Sequence, residues 1–546
     1  MNVFWKIVFM EIFWIDRLAE QVNEKFPEGV IHLSCGLSIR GPQHIGRIRG
    51  ELCLPSAIKR ILEEKFGRKA IHYIVLYDMD GLKEKGAKNG FPNDPEKQKK
   101  YVGVSLFNVE DPFGCHENWM EHFWADFGDY LDEFGFEVKI VKTSEFYRME
   151  ETKQLIKDLL SKREKVVEIV NRYRKRNPWP LDHIPINPIC QHCLSINDTK
   201  AVAVDLENYT VKYVCNKCGK SGETSLENAK LNWRLEWPAL WKVLHIEFEP
   251  YGRDHAAAGG SRETCGIFSK EIFGYEPPLG EWYEWVSLKV HGKNLGEMTA
   301  SGFIGITPKE WLEIATPEIL RYLFISTRPH TSITIDLDNI SFYYNDYDKA
   351  ERIYFGVEEE SNERERRNIM RSYELAQVKG VRERIPPQVP FDFACVVAQI
   401  TRIDEGDVEP ALEILRRTSH LPSDATEEEV EYVIRRLKNA MNWVKKYAPE
   451  QYKIEIKEEV EETVLSQLSP SQKEALRRMG DFLKKERAEN EIWDFINEVC
   501  EELGVEKKEF FKACYLVLLG KPYGPRLVSI IKSLGEEKIS KLFSSV

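Results

Sequence analysis

Positive charge is in short supply. The 546 residues carry 77 Lys and Arg against 89 Asp and Glu, a formal net charge of −12 at pH 7. Coating nucleic acid without regard to sequence depends on a basic surface, so that class is excluded, while an RNA enzyme with local basic patches is not. Long apolar runs are also missing. The apolar residues 1–14 are broken by Lys6 and Glu11 and followed by no small-residue cleavage site, which argues against a signal peptide and a membrane span. They read as an extension ahead of the first helix, with Met10 an alternative start to Met1. Eleven cysteines are few for this length, and four fall in two C-x2-C pairs, so reduced thiols and metal in a cytoplasmic protein are expected rather than a disulfide framework. No repeat or low-complexity tract occurs. The chain is too long for one core, and roughly two to four domains are expected.

What is present begins with residues 31–51, where an apolar run gives way to a Gly/Pro turn and then to helical periodicity. Such a strand-loop-helix junction gathers unpaired N–H groups and the helix dipole at one point and can hold an anion. Gly41 and Gly46 leave room for close approach and His44 adds a donor; an ordinary glycine-containing loop is the alternative. Residues 71–77 read as a second buried strand ending in Asp78 and Asp80, acids that face a ligand crevice or cap a turn. Asp111, Cys115, His116 and His122 offer a carboxylate, a thiolate and two imidazoles, a tetrahedral zinc set or else a capped helix with buried polar groups. A helix over 118–135 and a strand over 136–141 continue the β/α alternation, which predicts a doubly wound parallel sheet. A charged helix over 151–176 ends in Arg172-Tyr173-Arg174-Lys175-Arg176, a solvated face or a phosphate contact.

Prolines 178, 180, 185 and 188 then introduce Cys190 and Cys193, followed at C-x2-C-x21-C-x2-C spacing by Cys215 and Cys218. This is the pattern of a zinc ribbon, whose metal substitutes for a core that some forty residues cannot build. Residues 231–238 and 283–290 read as strands, and small residues after His255 suit a flat ligand. Beyond Thr307 helices dominate, and residues 340–546 read as a helical bundle whose apolar stripes are core.

His44-Ile45-Gly46-Arg47 resembles the HIGH signature of class I aminoacyl-tRNA synthetases, and Lys293 to Gly302 stands where that family has its KMSKS loop. With these segments and their order, nearly the whole chain resembles the archaeal-type class I lysyl-tRNA synthetases. The resemblance implies an α/β fold: a doubly wound, Rossmann-like catalytic domain in two halves (11–177 and 231–305) around a zinc-ribbon insertion (178–230). A connecting region (306–360) and an all-α anticodon-binding domain (361–546) would follow. It implies that lysine is activated with ATP and Mg2+ and passed to tRNA(Lys), with zinc at one site or two, and with neither DNA nor membrane as a partner.

By the same resemblance His44, Gly46, Arg47, Lys293, Met298 and Ser301 serve the chemistry. Ser38, Gly41, Asp78 and Asp80 belong to the lysine and ATP site, Gly252, Asp254 and His255 hold the adenosine, and Glu236, Trp237 and Tyr283 shape the lysine pocket, Glu236 taking the ammonium. The signatures also depart from the family: Arg47 ends the first, Glu297 stands where a lysine is expected in the second, and no lysine follows Ala300 or Ser301. Either Arg40, Arg47 and Lys293 supply the displaced charge, or the chain is a weakened paralogue that keeps tRNA binding and has lost the chemistry.

Overall fold

The structure, a computed structural model, describes residues 12–546; the expectations for the segment before Ile12 lie outside it. Strands β1 (Ile31–Leu37), β2 (Ala70–Leu76) and β3 (Lys139–Lys142) form a parallel sheet in the order β1-β2-β3. On the other side of β1, parallel bridges from Leu33 to Phe248 and from Phe248 to Leu279 extend it. The chain therefore leaves β1 first to one side and later to the other. The carboxyl ends of β1, β2 and the Phe248 segment converge, which is where a doubly wound sheet opens its ligand crevice. Helices α1 (Trp14–Lys25) and α2 (Leu54–Phe66) bury regularly spaced apolar residues in the sheet's core.

Five expected elements are corrected. Residues 231–238 are not a strand: after a three-residue strand, Ala229–Leu231, the chain turns into helix α7 (Trp233–Val243). Asn232 caps it by accepting from the Arg234 N–H, and the Arg234 carbonyl accepts from the Cys265 thiol. That is the carbonyl Pro238 would otherwise leave without a donor, so the proline is tolerated inside the helix. The 151–176 helix is two, α5 (Glu150–Ser161) and α6 (Arg163–Asn171), broken at Lys162, and the basic run lies in the turn beyond α6. Helix 118–135 stops early, as α4 (Trp119–Gly128), and strand 136–141 begins late, at Lys139. Strand 283–290 is two pieces, Trp282–Tyr283 beside Tyr251–Gly252, and β7 (Val286–Val290).

Between the two halves of the sheet, β4 (Thr199–Asp205), β5 (Thr210–Cys215) and β6 (Ser221–Ser225) form an antiparallel ribbon. Its base is closed by Ile186–Pro188 pairing with Ala229–Leu231. Farther on, β7 pairs antiparallel with β8 (Lys293–Glu297) and parallel with β9 (Ile333–Asp336). From Ile340 the described chain is helical apart from turns and loops. One core cluster runs from the sheet's α1/α2 face to Ala448, a second fills the opposite face to the ribbon base, and a third holds the last helices together.

Buried charge joins the helices at two points. Arg321 is fully buried without a carboxylate; its guanidinium donates to the carbonyls of Ala376, Leu375 and Phe134, the first two at a helix C-terminus where the dipole favours a cation. Arg436 meets both oxygens of Asp348 at 2.7 Å, each side chain almost entirely buried. Truncating Asp348 strands that guanidinium in the core, which typically costs about 3–5 kcal/mol. Asp348→Ala is therefore expected to lower the urea midpoint of the helical half by a corresponding amount; an unchanged midpoint would mean that the pair is not holding these helices.

Candidate functional site

A cleft of about 700 Å³ lies over the carboxyl ends of β1 and β2. The loop after β1 is held down by charge. Ser38 Oγ donates to Asp80 Oδ2 at 2.7 Å, Arg40 Nη2 donates to the same oxygen at 2.6 Å, and Lys230 donates to Oδ1. Lys230 also meets Glu236 Oε2 at 2.9 Å, and the Tyr147 hydroxyl donates to Glu236 Oε1 at 2.7 Å. Burial opposes ionisation of Asp80, but Lys230 and Arg40 outweigh it and hold its pKa near 2. Burial raises the Glu236 pKa, while Lys230 pulls the other way and is itself kept firmly protonated by the two acids.

The helix that follows His44 starts irregularly. Residues Ile48–Cys53 form a π-helical turn, which widens the helix and rotates the turns beyond it. Glu51 sits on it, and Arg47 Nη1 donates to Glu51 Oε1 at 2.9 Å. Oε2 is buried with no hydrogen-bond partner, although Glu51 lines both the main cleft and an adjoining cavity. Burial raises its pKa in spite of Arg47 and the nearby Tyr283 hydroxyl. Arg49 clamps the turn by donating to the carbonyls of Glu284, Arg328 and Thr331. Gly50 is required here, because a Cβ would lie 2.2 Å from the Tyr283 ring.

The far wall is aromatic. Glu249, buried, accepts from the indole N–H groups of Trp237, at 3.0 Å, and Trp241. The Arg262 guanidinium lies over Trp241, Tyr251 and Trp237 at 4.6, 4.9 and 5.6 Å. The His255 ring stands 5.2 Å from Trp237 and 5.8 Å from Trp233. A flat ligand fits against such a wall, and Gly252 and Asp254 line the same cleft.

The cleft thus gathers Ser38, Asp80, Arg47, Glu236, Trp237, Gly252, Asp254, His255 and Tyr283, while His44, Gly46 and Met298 line the adjoining cavity with Arg47 and Tyr283. His44 is buried with Nδ1 unpaired, and burial, helped by Arg47, lowers its pKa to about 3. It is therefore a neutral donor rather than a cation. Gly41 lies under the second signature loop: a Cβ there would be 2.3 Å from the Ala300 carbonyl oxygen, at a φ of +154°.

Three residues do not join the site. Asp78 accepts from Thr143 Oγ1 and the Ser144 N–H at 2.7 and 2.9 Å and closes a helix start. Lys293 is exposed beside the β7–β8 turn, paired with Val290, at the opposite end of β8 from Met298, and lines none of these cavities. Ser301 turns its carbonyl to Asn89 at 3.1 Å. The cation against this loop comes instead from α3 (Glu84–Gly90): a Cβ on Gly302 would lie 2.8 Å from Lys85 Nζ. Sequence reading missed Glu51, Lys230, Glu249 and Lys85. Only Glu51 carried a signal, its i,i+4 spacing from Arg47.

Both donor sets come together. Sγ of Cys190 and Cys218 lie 3.7 Å apart and those of Cys193 and Cys215 3.6 Å. A tetrahedron with metal–sulfur bonds of about 2.3 Å has edges of about 3.8 Å, so the four thiols fit a single ion. The ligand atoms of Asp111, Cys115, His116 and His122 also lie within 4.8 Å of one another. Asp111 accepts from the N–H groups of Phe113, Cys115 and His116, shaping the loop that presents the thiol.

Residues 12–379 match the family model described as tRNA synthetases class I (K), and residues 408–541 match an anticodon binding domain. A lysine–tRNA ligase from Aeropyrum pernix is 36% identical over 529 residues, covering 96% of this chain and 95% of the relative. One from Methanocaldococcus jannaschii is 32% identical, covering 97% and 99%. Among solved structures, a glutamate–tRNA ligase from Elizabethkingia meningosepticum aligns over 94% of this chain and 98% of its own, at 12% identity and a TM-score of 0.37.

Burial keeps His44 and His72 neutral, each with a pKa near 3. Once unfolded, both take up a proton below about pH 6.5, so stability falls as pH drops from about 6.5 toward 3. His72→Leu removes one of the two uptake sites from the core and is expected to flatten the fall of the urea midpoint between pH 7 and 5. An unchanged slope would show that His72 is already protonated in the folded protein.

Proposed function

This chain belongs to the class I tRNA synthetases of the lysine type, and from that premise we propose that it activates lysine with ATP and transfers it to tRNA(Lys). The observation that carries the substrate assignment is the buried Glu51 carboxylate, which lines both cavities and has Arg47 on one oxygen only. A lysine ammonium needs a carboxylate oxygen that no other cation occupies, and Arg47 meets only Oε1 of Glu51. Glu236 does not offer one, since Lys230 and Tyr147 occupy both its oxygens. Glu51 therefore receives the ammonium, with Tyr283 and Trp237 shaping the pocket, and Glu236 anchors Lys230.

ATP enters with Mg2+, its adenosine against His255, Asp254 and Gly252 and its triphosphate toward His44 and the helix N-terminus. The lysine carboxylate attacks the α-phosphorus and pyrophosphate leaves. Lysyl-adenylate then gives its acyl group to the terminal ribose of the tRNA. The protein supplies position and charge, with no covalent nucleophile. Arg40, Arg47 and Lys83, which line the main cleft, and Lys85 against the loop supply the cations that the altered loop lacks, in place of Lys293.

The ribbon thiols would hold one Zn2+ and the Asp111 set a second, each ion closed off by four protein ligands and serving to fix local structure. The division of the chain at 178, 231, 306 and 361 belongs to the same reading. So does a cytoplasmic setting, supported by unpaired thiols and by the absence, among the described residues, of any helix long and apolar enough to cross a membrane. The inactive-paralogue reading is less favoured, because similarity to lysine–tRNA ligases runs the full length.

ATP–pyrophosphate exchange with tRNA present is expected to require lysine and to ignore arginine and glutamate; no exchange with lysine would refute the activity. Glu51→Gln replaces a charged partner with a neutral one, a loss of about 2–3 kcal/mol or on the order of a hundredfold in lysine KM. Lys85→Ala is expected to lower kcat about a hundredfold and Lys293→Ala to leave it unchanged; the reverse would restore Lys293 to the chemistry. For the metals, Cys215→Ser is expected to lose one zinc equivalent by elemental analysis and to lower the ribbon's resistance to proteolysis, whereas full retention of zinc would place the ion elsewhere.

A further inference from the structure

The loop that carries the altered second signature is fastened to the turn that carries the first. The Ile45 N–H donates to the Ile306 carbonyl at 2.9 Å, a Cβ on Gly305 would lie 2.5 Å from His44 Cβ, and one on Gly41 would meet the Ala300 carbonyl oxygen. Within the loop, Thr299 and Ile304 exchange backbone hydrogen bonds of 2.7 and 3.1 Å around the turn Ala300–Gly302. Residues 299–306 contain no lysine that could draw the loop onto a triphosphate. Its closure therefore has another cause.

The residue that ends this turn is held in an unfavourable backbone conformation. Phe303 has φ 55° and ψ 38°, a left-handed position usually given to glycine, because a Cβ crowds the following carbonyl there. Such an outlier persists only where its surroundings over-determine it. Here the ring does so. It stands edge-on to Phe123, with centroids 5.3 Å apart at 71°, and 6.4 Å from Trp119, and a Cβ on Gly41 would lie 2.7 Å from its Cε1. Phe123 and Trp119 are both buried on α4, and Trp119 Nε1 donates to the Ile39 carbonyl at 2.9 Å. Ile39 belongs to the loop after β1, so one helix holds the first signature's loop by a hydrogen bond and the second's by aromatic packing.

We propose that Phe303 is a positioning residue: its ring, packed on Phe123 and Trp119, holds loop 299–306 shut over the first signature turn before ATP arrives, so that the loop is in place without lysines of its own. Phe303 lines neither the main cleft nor the adjoining cavity and acts through Met298 and Thr299, which line the latter beside His44. The proposal rests on the reading that ATP is activated here, and it divides the work of the missing lysines. Lys85 brings the charge, and Phe303 fixes the position.

The test is a double-mutant cycle of Phe303→Leu and Phe123→Leu, with Phe303→Gly beside it. Amide hydrogen exchange in the ATP-free protein reads the loop directly, through the cross-loop N–H groups of Thr299 and Ile304. Each leucine variant is expected to speed exchange there about fivefold, as for one lost edge-to-face contact, with β1 amides unchanged and the double variant no faster than either single one. Phe303→Gly relieves the backbone but removes the ring, and is expected to loosen the loop as Phe303→Leu does. In pyrophosphate exchange all of them are expected to lower kcat about tenfold with lysine KM unchanged, because a displaced loop costs the reacting geometry and not the lysine pocket. Additive effects of the two leucine substitutions, loop amides as protected in Phe303→Gly as in the unmutated protein, faster exchange in β1 as well, or a lysine KM that rises in step with the loss of kcat would each overturn the proposal. Absence of lysine-dependent turnover in the unmutated protein would refute the activity, while the amide exchange, which needs no turnover, would still decide whether the ring holds the loop.

Discussion

A lysine ammonium buried between two carboxylates ties the catalytic half of this protein together. Lys230 lies on the strand that closes the ribbon base, Asp80 at the end of β2, and Glu236 in the first turn of α7. Burying charge is tolerated only where every partner is in place, and removing one member of such a group typically costs about 3–5 kcal/mol. Three elements distant in sequence must therefore arrive together before the cleft has its shape. The loop carrying Ser38 and Arg40 is bound to the same Asp80 and depends on it in turn.

The same network sorts the acids. Four carboxylates line the deep part of the cleft, and each has a partner: Asp80 and Glu236 have Lys230, Glu249 has two indole N–H groups under the Arg262 guanidinium, and Glu51 has Arg47 on one oxygen. Glu51 keeps one oxygen free because a π-helical turn carries it to the cavity wall and Gly50 lets Tyr283 pack against that turn. On the proposed reading, selectivity for a cationic side chain rests on the Glu51 carboxylate oxygen that no cation meets, rather than on the number of acids present.

The altered second signature loop is read differently in three dimensions. Its glutamate faces the cavity beside His44, and its lysine is at the wrong end of a hairpin. The ammonium of Lys85, from a short helix that packs on the loop, fills the space that a side chain at Gly302 would take. Charge can thus be carried by a neighbouring element when the loop itself has lost it.

Periodicity and spacing were enough to reveal the β/α alternation, the two metal-donor sets and the strand-loop-helix junction at His44, because each is local: a period, a motif or a turn within some thirty residues. The same local reading mistook Trp233 to Pro238 for a strand, since a bulky apolar run looks alike in either form until a cap and a buried partner decide it. The resemblance put the substrate's ammonium at Glu236, whose pairing with Lys230 no motif reveals. The resemblance likewise gave Lys293 a part in the chemistry, and only the hairpin shows it at the far end of β8 from Met298. What the sequence alone determined is which chemistry is available and in what order it is strung. Which acid is paired with which cation, and which ammonium lies against the loop, were decided only by tertiary structure, because charge is neutralised through space, by neighbours that sequence distance does not reveal.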